Sequence, residues 1–153
     1  MGHRGGRLDV DDPMFERRRY QRWPAYFQSK LANILFTAGL DRRLRAGHVD
    51  VRALAAHPGG SRTDLGTEGG GVSNKLLRLS TLATQSAAAG ATPLLRAATD
   101  PTAESGQYYG PRWGMWGRPV LETPSRRARD AASAEALWAL SEQLTGRSLL
   151  PAG

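Results

Sequence analysis

Tyr26 and Lys30 stand four residues apart in the stretch AYFQSKLANILF. On a helix that spacing puts two side chains on one face, one turn apart, so the lysine ammonium can approach the phenol or a group bound beside it. A free phenol gives up its proton only near about pH 10, and a fixed positive charge nearby favours the phenolate. Such a tyrosine could protonate a carbonyl oxygen as the carbon receives hydride, or take the proton from an alcohol in the reverse direction. The plain alternative is a tyrosine packed at a helix start beside a solvated lysine. With four tyrosines and two lysines in 153 residues, chance alone gives such a pair in roughly one chain in twenty, so the pair needs its setting.

The setting begins with a charged, glycine-containing stretch over residues 1–24, which reads as a surface connection ending at Pro24, where a helix can start. Phe27, Leu31, Ile34, Leu35 and Ala38 then recur at helical spacing, with Tyr26, Lys30, Asn33 and Thr37 as a neighbouring stripe, and predict a helix over 25–46 that Gly47 ends. VDVRALAAHPGG predicts a short buried strand from Val49 to about Ala56, closed by a Pro-Gly-Gly turn, so that 49–60 is strand and turn. Residues 61–80 open with a polar, glycine-rich run and read as a segment that moves or orders on binding something, a lid. Residues 75–98 return to helical spacing, in a helix that Gly90 and Pro93 kink or divide, and the remainder of 81–153 reads as a second strand at SGQYYG, a loop through PRWGMWGRPVLETP, and a last helix capped by Ser125 and running to Gly146. The order helix-strand-helix-strand-helix is that of an α/β protein, and a single domain is expected.

Composition narrows the function classes. There is no cysteine, which excludes disulfides, thiolate metal sites and cysteine nucleophiles. His3, His48 and His57 have no metal-ligand spacing, and His57 reads as a turn residue beside Pro58. A net charge of +7 invites a nucleic-acid reading. However, the arginine clusters at 17–19, 42–45 and 126–129 each stand beside an acid (Glu16, Asp41 and Asp130), have no aromatic residues interleaved along one face and read as solvated surface, so no nucleic acid is expected. No run is long and apolar enough to span a membrane and no signal peptide is evident, which makes a cytoplasmic protein the expectation. Trp113 and Trp116 either line an apolar substrate cavity or pack a loop on the last helix.

YFQSKLAN followed by a strand ending HPGGSRT resembles the short-chain dehydrogenase/reductase superfamily. YFQSKLANILF, HPGGSRTDL, GQYYGP and ALWALSEQLTG together resemble its retinol dehydrogenase and WW-domain oxidoreductase branch. The resemblance implies an NAD- or NADP-dependent oxidoreductase acting on a lipophilic carbonyl or alcohol. Tyr26 would be its catalytic acid/base, with Lys30 on the nicotinamide ribose. Pro58 and Gly59 would lie against the nicotinamide, and Thr63 would bind its carboxamide or the pyrophosphate.

The fold implied is the carboxyl-terminal portion of a Rossmann-type doubly wound parallel sheet. The glycine-rich strand-turn-helix that cradles a pyrophosphate, the asparagine motif and the catalytic serine have no counterpart in the sequence. A chain truncated in this way is expected to turn over little or nothing alone. The alternative is a non-catalytic remnant that binds a partner protein, or half of a split enzyme, in an oligomer or with a complementing chain.

Overall fold

The computed structural model describes residues 2–60 and 85–148. The chain divides into two compact units: of the described residues, one holds 2–55, 104–107 and 123–148, the other 56–60, 85–103 and 108–122.

The first unit is helical. Helix α1, Arg22–Ala46, starts at an extended Gln21 and carries Pro24 in its first turn, where a missing N–H costs no helix bond. Of the expected stripe Leu31, Ile34 and Leu35 are buried and Phe27 and Ala38 half-buried, and Leu44 is buried further along. Its end is a Schellman motif: the Val49 N–H reaches the Leu44 carbonyl (2.9 Å) and the His48 N–H reaches that of Arg45 (3.1 Å). Gly47 is the cap, but the left-handed residue is His48, at φ 50°.

Helix α3, Ala131–Thr145, packs along α1. The Ser125 hydroxyl accepts the Ala128 N–H (3.3 Å) within a short 3-10 turn, Arg127–Arg129, and Asp130 is the N-cap of α3, its carboxylate accepting from the Ser133 N–H at 2.8 Å. Gly146 closes the helix, as expected. Across the α1/α3 seam Phe36 stacks on Trp138 (ring centres 5.1 Å apart), and the Arg43 guanidinium lies 4.3 Å over the Trp138 ring. Arg43 is only 6% exposed and bonds Glu135 through both terminal nitrogens, at 3.1 and 2.7 Å. Arg42 adds a third bond to the same carboxylate at 2.8 Å. The 42–45 cluster is therefore not simply solvated: a carboxylate on α3 and an indole face make burial of Arg43 tolerable.

The opening stretch is more than a surface connection. Gly2–Gly5 form a 3-10 turn with His3 buried, and a Cβ at Gly6 would fall on the Phe27 carbonyl, so this backbone lies directly on α1. Asp12 organises the loop that leads into α1, accepting the N–H groups of Glu16, Arg17 and Arg18. Burial alone would raise the Asp12 carboxyl, but those three donors outweigh it and hold the group below the usual carboxylate range.

The strand expected from Val49 to Ala56 is two residues long, β1, Ala55–Ala56. Val49 spends its N–H closing α1 and Val51 bonds back to Val49, so no ladder exists before Ala53, and Val49 and Val51 are exposed. From there bonds advance two residues at a time along both segments, Ala55 N–H to Gln107 and His57 N–H to Tyr109, the pattern of parallel pairing.

The second unit carries the rest of the sheet, whose order is β1-β2-β3. Strand β2, Tyr108–Pro111, answers to the expected SGQYYG strand, and β3, Pro119–Glu122, pairs with it antiparallel where a loop was expected. The prolines that argue against a strand sit at paired ends of the ladder, Pro111 opposite Pro119, where a missing donor is tolerated. Helix α2, Ala87–Thr99, begins at Ser86, whose hydroxyl accepts the Ala89 N–H. It is not divided: Gly90 and Pro93 are both buried within it. Pro93 deprives the Ala89 carbonyl of its helix donor, and the Thr92 hydroxyl supplies one at 2.7 Å. Residues 61–80, expected as a lid, lie outside the described residues.

Candidate active site

Tyr26 and Lys30 sit in the first three turns of α1, and the helix brings them together as the spacing requires. Lys30 Nζ is 5.3 Å from the centre of the Tyr26 ring. The ring is half-buried, with Trp23 (6.1 Å) and Phe27 (5.6 Å) both edge-on, while Lys30 is exposed. The Ser29 hydroxyl donates to the Tyr26 carbonyl at 2.8 Å and so serves the helix backbone. Position 2 lies over the pair, since a Cβ there would be 3.2 Å from Tyr26 Cε1 and 3.3 Å from Lys30 Cγ. The buried His3 ties this turn down, its Nε2 accepting the Ser125 N–H at 3.2 Å. None of that packing is signalled by local sequence.

The Pro-Gly turn belongs to the other unit. Gly59 has φ +67°, and a Cβ there would lie 2.6 Å from both the Met115 carbonyl oxygen and Pro111 Cγ, so both conformation and space require glycine. The Gly60 N–H bonds the Met115 carbonyl at 2.8 Å, and the Gln85 side chain donates to the Pro58 carbonyl at 2.6 Å. Pro58 and Gly59 are thus held together within their unit, as Tyr26 and Lys30 are within theirs; Thr63 lies outside the described residues.

Sequence reasoning did not find the partners of His57. Its ring stacks on Tyr108 (5.3 Å), its Nδ1 accepts the Gly59 N–H at 3.1 Å, and its Nε2 is 3.3 Å from Glu122 Oε1. Glu122 is 65 residues away, so only the hairpin could reveal the contact.

Trp113 and Trp116 are 63% and 48% exposed at the hairpin tip, and neither is buried by a packed helix. A cleft of about 400 Å³ in the helical unit is lined by Arg7, Leu31, Arg127 and Asp130 among others, and includes neither Tyr26 nor Lys30. Among the described residues no group of three or more His, Asp or Glu side chains could hold a metal, and no helix is long and apolar enough to cross a membrane.

No family model matches the sequence. Human retinol dehydrogenase 13 is 34% identical over 154 residues, an alignment covering 95% of this chain and 44% of the relative. The short chain dehydrogenase/reductase dpchH of Colletotrichum higginsianum is 32% identical over 139 residues, covering 85% of this chain and 33% of the relative. The crystal structure of an uncharacterized protein from Mycobacterium Paratuberculosis superposes with a TM-score of 0.77 at 43% identity, over 99% of this chain and 49% of that one. The chain therefore spans about half the length of the relatives it matches or less. With the Tyr-x-x-x-Lys pair on its helix and the Pro-Gly turn after its first strand, the chain belongs to the short-chain dehydrogenase/reductase superfamily, its residues matching the carboxyl-terminal portion of that fold.

Proposed function

We propose that this sequence carries half of the active site of an NAD- or NADP-dependent oxidoreductase that interconverts a lipophilic carbonyl compound and its alcohol. The observation that carries the reading is the Tyr26–Lys30 pair, with a half-buried phenol and an exposed ammonium 5.3 Å from its ring. In reduction, the Tyr26 hydroxyl gives its proton to the carbonyl oxygen as the carbon gains hydride, leaving an alcohol and a phenolate that the Lys30 charge stabilises. In oxidation the proton returns to the phenolate.

The donor chemistry of Lys30 suits the hydroxyls of a nicotinamide nucleoside. Lys30 offers donors for ribose hydroxyls, and the Pro58-Gly59 turn is assigned to the nicotinamide ring. Thr63 is assigned to the carboxamide or the pyrophosphate. When bound, the nicotinamide supplies or accepts the hydride. The pyrophosphate cradle and a polarising serine are not among these residues, so the chain by itself is proposed to be catalytically incomplete. A protein-binding remnant, or half of a split enzyme, is the second reading; it is favoured because, among the described residues, β1 pairs on one side only.

The test is carbonyl reduction by the protein purified from its native cells, with whatever chain accompanies it, compared with Tyr26→Phe. A loss of about 100-fold or more supports the acid/base role. Equal rates refute it.

A further inference from the structure

We infer that His57 and Glu122 form a positioning pair that sets the shape of the Pro58-Gly59 turn; the inference rests on the proposed function only for what that turn touches. His57 is fixed beside β2 by the bond from its N–H to the Tyr109 carbonyl (2.9 Å) and by the stack of its ring on Tyr108. From that fixed position Nδ1 accepts the Gly59 N–H, drawing the chain back over Pro58. An imidazole nitrogen that accepts a hydrogen bond carries no proton, so in the neutral ring the proton is on Nε2. Glu122 Oε1, 3.3 Å from Nε2, is the acceptor that selects this tautomer. A doubly protonated ring would instead turn a donor toward the Gly59 N–H.

Gly110 lets the pair meet. It lies on the middle strand, two residues from Tyr108 and so on the same face, and a Cβ there would fall on His57 Nε2 and Glu122 Oε1. One residue from each side of the middle strand therefore reaches across a gap that only glycine leaves. Met115 and Gln85 hold the turn from other sides, through Gly60 and Pro58. His57 and Glu122 are positioning residues: they touch the turn, and the turn would touch the nicotinamide.

The test starts with the unaltered chain, ¹⁵N-labelled, at neutral pH. The His57 ring should show an unprotonated Nδ1 and a protonated Nε2, a result that depends on no variant folding. His57→Phe keeps a ring to stack on Tyr108 but removes both nitrogens, and amide exchange at Gly59 should become about five- to tenfold faster. The Arg112 N–H, bonded to the Arg118 carbonyl in the same hairpin, should not change. Glu122→Leu should mix the tautomers and speed Gly59 exchange, and Glu122→Gln, which keeps an acceptor oxygen, should restore both. A parent ring protonated on Nδ1, or Gly59 exchange indifferent to His57→Phe, overturns the inference. Saturation transfer from nicotinamide mononucleotide to Gly59 reads the proposed function separately. If the tautomer and exchange results hold without that transfer, the positioning pair stands and the nicotinamide assignment falls.

Discussion

Removing the carboxylate of Glu135 should make the α1/α3 seam insensitive to acid. Glu135 lies between Arg42 and Arg43, and the hydrogen bonds from Arg43 and then Arg42 lower its pKa from 4.5 to about 2. Taken at face value that depression is worth about 3 kcal/mol at neutral pH, at 1.36 kcal/mol per unit. Glu135 is 48% exposed, so solvent screening reduces the usable part to about 1 kcal/mol. Because the folded-state pKa is depressed, the stabilisation is fully present above the unfolded value near 4.5 and is lost as pH falls through that value toward 2.

Arg43 makes the carboxylate matter more. It is buried, and its Nε has no hydrogen-bond partner among the described residues, so Glu135 carries most of the compensation for that charge. Urea unfolding followed by tryptophan fluorescence at pH 7, 4 and 2.5 should show Glu135→Gln about 1–2 kcal/mol less stable than the parent at pH 7, with the gap closing by pH 2.5. In an Arg43→Met background the same change should cost under about 0.5 kcal/mol. A gap that stays constant with pH, or one that survives in the Arg43→Met background, would refute the reasoning.

His48→Gly should stabilise the chain by about 0.5–1 kcal/mol, because the left-handed residue of the α1 Schellman motif is a histidine; thermal unfolding reads the gain, and a lower midpoint counts against it. Thr92→Val should cost about 1 kcal/mol by leaving the Ala89 carbonyl without the donor that Pro93 cannot provide, measured by urea unfolding; an unchanged midpoint would mean water serves equally well.

The sequence makes α1 legible because its signals are local. Pro24 in the first turn, the Leu31, Ile34 and Leu35 spacing and Gly47 all act within one turn of where they stand. The Tyr26–Lys30 pair is legible for the same reason, being a helical repeat. Val49 and Val51 mislead because β-branched apolar residues favour a strand, yet the Val49 N–H is taken by the turn that ends the helix and the Val51 N–H by the Val49 carbonyl. β3 is hidden by Pro119, which counts against a strand unless its register opposite Pro111 is known. His3 and Glu122 carry no local mark at all, since each acquires its role from a partner brought close by folding.

The sheet also imposes an order of assembly. β2 and β3 are joined by a short loop and can pair as soon as that loop closes, on the microsecond scale of hairpins. Segment 53–57 must find its partner across a separation of 52 positions, a far costlier closure, and the His57–Glu122 contact spans 65. The Pro-Gly turn should thus acquire its form last, on a template already built. Substitutions at Val120 should slow folding, whereas those at His57 should leave the folding rate alone and speed unfolding; the reverse pattern in a chevron analysis would show that the turn forms first.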